Sequence, residues 1–363
     1  MVGYNRFNKL FVIIFLVIVL SFGSSVFGAD WLTFKGGLTR TSLTNEIIKP
    51  PIRRVEWTIN AGFPISMSPV SKGDFVYFGT EGGTTDSTFY CLLKGKKIWE
   101  FPNDKLRSFT DKRTGEKPWP NGAMDFARTS LKISPTIHEK KVYLPWGSKL
   151  LILNYESGIL IDYVDLKDFG HEGSINTSPL IHDDHKLIIC GSTNGYLYGF
   201  DIELRDPLIR WRIPEGAGTG GTISSAVAYS NRQIFFGSTS KMFYSYELTF
   251  AGSDGVKAGT LPTKKWEVKL DGQISQTPAV IGSNVVITTR DGYVYCLSAS
   301  TGDIIWEKNT ASRIDASPVI ATATDRKTYV VIIEGKNIKC FNIEDGSQKW
   351  SSSVGEICYG TPK

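Results

Sequence analysis

Beyond residue 29 the chain lacks any apolar run long enough to span a bilayer, and it lacks a convincing helical period. It has no adjacent cysteine pair and no zinc-type Cys/His spacing. It also lacks a strong charge imbalance. The formal charge of +5 falls to +3 once the first 29 residues, which contain Arg6 and Lys9 but no acid, are set aside. These absences exclude a polytopic membrane protein, a helical bundle, a zinc module and a charge-driven nucleic-acid binder. Five cysteines in 363 residues are an odd number, which speaks against a disulfide framework.

The first 29 residues have their own character. Arg6 and Lys9 precede the apolar run Leu10 to Phe22, and "GSSVFGAD" follows. A short basic region, a short apolar core and small residues are the pattern of a cleaved export signal. Residues 1–29 are expected to be removed, with an uncleaved membrane anchor over Leu10 to Gly28 as the alternative, and residues 30–363 to form one exported domain, periplasmic or at the cell surface, without a membrane span after cleavage. No cysteine follows the apolar run, so a lipid anchor is not indicated.

The remainder is periodic. "ISQTPAVIGSNVVITTRDGYVYCLSASTGDIIWE" begins at Ile274, and stretches from Ile175 and Ile314 repeat its order. Each unit runs Ile-x-x-small-Pro, polar turn, apolar run, Gly-containing turn, alternating run, second turn, Trp. Pro69, Pro135, Pro179, Val227, Pro278, Pro318 and Pro362 open the units. Trp99, Tyr163, Trp211, Trp266, Trp306 and Trp350 close six of them, 28 to 39 residues later. Four short runs of Val, Ile, Tyr and Phe per unit, split by Gly, Asn, Asp and Ser, predict four antiparallel strands. That is the arithmetic of an all-β propeller. Proline is tolerated where its missing N–H is not needed, so it suits an inner strand with one edge on the channel.

Trp57, in "RRVEWTINAG", reads as a further closing strand, and "EICYGTPK" as a further opening strand. Six blades are therefore expected complete, with a seventh, incomplete blade shared by the two termini. A shortened reading frame is the expected explanation, with residues 31–50 filling the gap as the alternative. Trp57, Trp99, Trp211, Trp266, Trp306 and Trp350 are expected to pack between blades. Residues 102–128 and 248–264 interrupt the rhythm and should emerge on opposite faces.

"DGYVYCLSASTGDIIWE" resembles the pyrroloquinoline-quinone (PQQ) propeller repeat, as do "NGYLYGFD" at 194–201 and "EDGSQKW" at 344–350. "STFYCLLKGKKIW" at 87–99 and "LLILNYESG" at 150–158 are fainter copies, and "DWLTFKGGLTRTSLT" is similar to the N-terminal segment of such proteins. One branch of that family holds quinoprotein dehydrogenases, for which the resemblance implies adjacent cysteines on the quinone and a calcium site. The other holds non-catalytic scaffolds of the BamB type, which act in outer-membrane assembly. Without a Cys-Cys pair, this chain is expected to follow the second, as a monomeric, non-catalytic propeller. It would bind a protein or peptide of the cell envelope and no cofactor. A quinoprotein-like dehydrogenase using PQQ with calcium, and a carbohydrate-binding surface propeller, are the alternatives.

Cys91, Cys296 and Cys340 recur at one place in the third strand, a blade apart, too far for disulfides. With Cys190 and Cys358 they read as small buried side chains with free thiols. "GAGTGG" at 216–221 reads as a turn, because no helix opens after it to meet a phosphate. "HDDH" at 182–185, like His138, reads as hairpin turn.

Three residues before each opener stand Ser66, Lys132, Asn176, Ser224, Ser275, Asp315 and Tyr359, while Ile or Leu precedes six of the seven. A polar register at the axis suggests a wet channel mouth. Lys132, Asn176 and Asp315, with Trp119 in the first insertion, are the expected partner-binding residues.

Overall fold

A computed structural model describes residues 30–35, 40, 56–82, 87–111, 113–118, 131–183, 186–203, 209–248, 261–322 and 326–353. Its strands form six four-stranded antiparallel sheets, each in sequence order. Blade 1 comprises β1 (Val70–Lys72), β2 (Phe75–Gly79), β3 (Phe89–Leu93) and β4 (Lys96–Phe101). Blade 2 comprises β5 (Thr136–His138), β6 (Lys141–Trp146), β7 (Lys149–Asn154) and β8 (Leu160–Asp165). Blade 3 comprises β9 (Leu180–His182), β10 (Leu187–Gly191), β11 (Leu197–Asp201) and β12 (Ile209–Ile213). Blade 4 comprises β13 (Ala228–Ser230), β14 (Gln233–Gly237), β15 (Met242–Glu247) and β16 (Thr263–Lys269). Blade 5 comprises β17 (Ala279–Ile281), β18 (Asn284–Thr288), β19 (Tyr293–Ser298) and β20 (Ile304–Asn309). Blade 6 comprises β21 (Val319–Thr322), β22 (Thr328–Glu334), β23 (Asn337–Asn342) and β24 (Gln348–Ser353).

The core is divided by blade junctions. Each of five apolar clusters lies between two consecutive blades, from Tyr77 and Phe89 against Leu144 at the first to Val286 and Val294 against Ile332 at the last. A sheet buried on both faces needs side chains of both parities to be apolar. The fully buried runs of β10 and β11 show that pattern. Inner strands adjoin in order, with β1 beside β5, β5 beside β9, β13 beside β17, and β17 beside β21.

Two contacts lock consecutive blades. The closing tryptophan lies over a glycine in the turn before the outer strand of the next blade. Trp99 covers Gly158, Trp266 covers Gly302 and Trp306 covers Gly346, where a Cβ would come within 2.6–2.7 Å of the ring. Each of these glycines has φ between +66° and +79°, so it is required by conformation as well as by space. The indole N–H then donates to a carbonyl three residues earlier: Tyr155 at 3.1 Å, Ala299 at 3.0 Å and Ile343 at 2.7 Å. The second contact lies nearer the axis. The Ile or Leu four residues before an opener packs onto the glycine ending the second strand of the preceding blade, as Leu131 on Gly79, Ile223 on Gly191 and Ile274 on Gly237.

Six complete blades agree with the expected count. Of the seventh, incomplete blade, residues 56–60 make no described strand pairing, and residues 51–55 and 354–363 lie outside the described residues. Trp57 still lies over Gly95 of blade 1, as Trp99 does over Gly158. Residues 354–363, including Cys358, Tyr359 and Pro362, lie outside the described residues, as does the 1–29 leader. No helix among the described residues is long and apolar enough to cross a membrane.

Candidate functional site at the channel mouth

The axis is filled from within. Trp31 exchanges backbone hydrogen bonds with Ser71 of β1, and the Leu32 carbonyl accepts from Ile137 of β5 at 2.6 Å. The segment then delivers two fully buried cations to the opener carbonyls. Lys35 Nζ donates to the Pro318 carbonyl at 2.6 Å. Arg40 donates to the carbonyls of Val227 at 3.0 Å and Pro179 at 3.3 Å, and to Thr33 Oγ1 at 2.7 Å and the Phe34 carbonyl. Proline has a carbonyl but no N–H. The repeated opener therefore turns acceptors toward the axis, and the N-terminal segment supplies the donors. Burial, reinforced by the Arg40 charge, pushes the Lys35 ammonium well below the ordinary lysine value. Burial lowers Arg40 to about 10.

Above this plug lies a polar cavity of about 330 Å³ with Phe34 among its lining residues. Ser66, Lys132, Asn176, Ser224, Ser275 and Asp315 all line it, so a register spread over six units becomes one ring. Tyr359 lies outside the described residues. Asn176 Nδ2 donates to Ser224 Oγ at 2.9 Å. Lys132 Nζ stands 3.4 Å from Glu81, and Asp315 is held by Arg313 at 2.6 Å with Arg290 at 3.9 Å.

The residue before the opener has a role at three blades that sequence reading missed. There its hydroxyl accepts the backbone N–H of the corresponding residue one blade back. Ser68 N donates to Ser134 Oγ at 2.9 Å, Ala226 N to Thr277 Oγ1 at 3.2 Å, and Thr277 N to Ser317 Oγ at 3.0 Å. The preference for a small residue before proline was the visible signal; that the hydroxyl serves a neighbouring blade was not.

The first insertion leaves blade 1 on the mouth side, since it joins an outer strand to the next inner strand. It packs along the outside of blade 2, leaving a hollow of about 430 Å³ lined by Phe101, Leu106, Phe109, Ile159 and Ile161. Arg113 fixes it there. Its guanidinium takes Asp111 through two nitrogens at 3.1 and 3.2 Å, donates to the Tyr163 carbonyl at 2.8 Å, and lies 5.0 Å over the Tyr163 ring. Burial works to raise the Asp111 carboxyl, but the Arg113 hydrogen bonds and charge outweigh it and hold the group below its ordinary value. Trp119 and most of the second insertion lie outside the described residues.

The remaining motifs stand apart from the mouth. Residues 216–221 form a turn with Gly216, Gly218 and Gly220 at positive φ, and no described helix follows. His138 Nε2 meets Asp183 at 2.9 Å, joining the inner hairpin turns of blades 2 and 3; Asp184 and His185 lie outside the described residues. Cys91, Cys190, Cys296 and Cys340 are free and buried, and burial pushes the Cys91 and Cys296 thiols up to about 12. Among the described residues no three His, Cys, Asp or Glu side chains converge on a metal position.

Comparison with known proteins agrees with this architecture. A family model described as outer membrane protein assembly factor BamB matches residues 259–358, which span β16 and blades 5 and 6. No curated protein sequence matches. Among solved structures, BamB from Moraxella catarrhalis is similar at a TM-score of 0.60 and 15% identity, over 84% of this chain and 79% of that one. The computationally designed Ika8 protein is similar at 0.55 and 13%, over 82% and 76%. A europium-containing methanol dehydrogenase is similar at 0.54 and 12%, over 75% and 65%. An assembly factor, a designed protein and an enzyme share the architecture, so these likenesses carry the fold and not the activity. The chain is a β-propeller, and its final two blades match the family model of the outer membrane assembly factor BamB.

Proposed function

We propose that the chain is an exported, non-catalytic scaffold of the cell envelope that engages a protein or peptide partner at the channel mouth. The observation that carries this reading is the convergence of Lys132, Asn176 and Asp315 with three serines around one polar opening closed below by the chain's own N-terminal segment. The opening offers hydrogen-bonding groups and a charged lip to something approaching from outside. The first insertion, whose sequence includes Trp119, begins where blade 1 ends on the same face. The residues described at the mouth give little support to PQQ with calcium. Calcium takes about six to eight oxygen ligands. Among the described residues Asp315 is the one acid lining the cavity itself, and arginine already holds it. The four described thiols are buried in strands.

A photo-crosslinking residue placed at Lys132, Asn176 or Asp315 of the full chain, with Gly282 on the opposite face as control, tests the proposal. Defined envelope-protein adducts from the mouth positions alone are expected, diminished when Lys132, Asp315 and Trp119 are all changed to alanine. Adducts from Gly282 alone, or dye-linked alcohol oxidation on titration with PQQ and calcium, would overturn it. Selective binding on a glycan array would favour a carbohydrate-binding propeller instead.

A further inference from the structure

The lining of the mouth is biased toward hydrogen-bond donors. Ser134 and Thr277 each accept a backbone N–H from the preceding blade, and Thr177 Oγ1 accepts Gly191 N at 2.7 Å. A hydroxyl whose oxygen is engaged in this way still has a proton to donate. All three residues line the cavity, as does Ser178. The charges lean the same way. Lys132, Arg290 and Arg313 stand at the lip against Glu81 and Asp315. Beneath them Arg40 is buried on carbonyl oxygens, and among the described residues no ion pair reaches it. Among the described residues Lys132, Arg290, Arg313 and Arg40 thus outnumber Glu81 and Asp315 in and around the mouth, which favours an anionic ligand.

We infer that the channel mouth is a carboxylate-binding site and that its ligand is an acidic peptide segment of the partner. A cavity of about 330 Å³ is at the small end of ligand-site sizes. It holds an acidic side chain or chain terminus and leaves the rest of the partner on the surface. The inference rests on the scaffold reading for the source of the carboxylate, but not for the site itself.

The test is titration of the full chain with a fluorescein-labelled peptide alternating aspartate and glycine, beside its asparagine counterpart. The acidic peptide should bind on the order of tenfold more tightly, and more weakly as salt is raised. Lys132→Glu and Arg290→Glu, both at exposed positions, should each reduce that binding several-fold with unchanged thermal unfolding. Ser178→Ala removes a donor without altering charge and should weaken the acidic peptide alone. Equal binding of the two peptides, or acidic binding indifferent to all three substitutions, overturns the carboxylate site. Glutarate binding as tightly as the peptide would overturn the peptide assignment and leave a small-molecule carboxylate site. Crosslinking and titration fail separately. Acidic-peptide binding without mouth adducts sinks the scaffold reading only, and mouth adducts without acidic preference sink this inference only.

Discussion

Lys35 shows what a single buried side chain costs and contributes. Its ammonium satisfies the Pro318 carbonyl, yet it sits beside Arg40 with no carboxylate on it among the described residues. The folded pKa lies below the unfolded value near 10.5, so the unfolded chain binds more protons between the two. Stability therefore rises with pH across that interval, and the penalty is gone above the unfolded pKa. Lys35→Met should flatten this rise, as measured by urea unfolding across the alkaline range. An undiminished pH slope in the variant would show that the buried cation is not its origin. Gly302 is the other residue whose identity is forced. With φ at +79° and a Cβ position 2.7 Å from the Trp266 ring, Gly302→Ala should cost about 1–3 kcal/mol in denaturant unfolding.

At the level of the strand pair, the cysteines acquire a reason. Directly across from each closing ring stands a smaller residue: Cys91 opposite Trp99, Gly199 opposite Trp211, Ser245 opposite Trp266, Cys296 opposite Trp306 and Cys340 opposite Trp350. Where tyrosine replaces tryptophan, leucine replaces the small residue, as Leu151 opposite Tyr163. Facing side chains share a face of the sheet, so their volumes trade against each other. A bulge accompanies every one of these pairs; in five blades the extra residue is the one before the tryptophan, such as Ile305. Cys296→Leu should destabilise by about 1–3 kcal/mol, and Trp306→Tyr in the same chain should recover part of it. A double-mutant cycle with no coupling would refute volume exchange. Ser317→Ala should also destabilise, by about 1–3 kcal/mol, because the buried Thr277 N–H loses its acceptor.

Across the whole molecule, the same side chain is worth different amounts at different junctions. Ile274 is fully buried on Gly237, whereas its register equivalent Ile65 is 47% exposed, since no described blade precedes blade 1. Trp306 is 7% exposed and Trp350 is 46% exposed, since no described blade follows blade 6. Ile274→Ala should cost about 2–5 kcal/mol. Ile65→Ala should change stability by no more than about 0.5 kcal/mol, with chemical denaturation as the measure. Comparable losses at both positions would mean that Ile65 is covered in solution.

The repeat was legible because a propeller writes each blade with the same chemistry: strand formers at alternate positions, glycine where φ is positive, proline where no N–H is needed. Six four-stranded sheets and their order follow from that pattern alone. The place of Trp57 over Gly95 was legible too, because it repeats the spacing of the other closing tryptophans. The sequence by itself also singled out Lys132, Asn176 and Asp315 as a register, residues far apart in the chain. Only the tertiary structure made them neighbours, since closing blades around an axis is what turns a linear spacing into a ring. It alone decided that Lys35 and Arg40 fill that axis. Nothing local marks a lysine and an arginine in a polar N-terminal stretch for burial; the carbonyls that hold them come from Pro179, Val227 and Pro318, in three different blades.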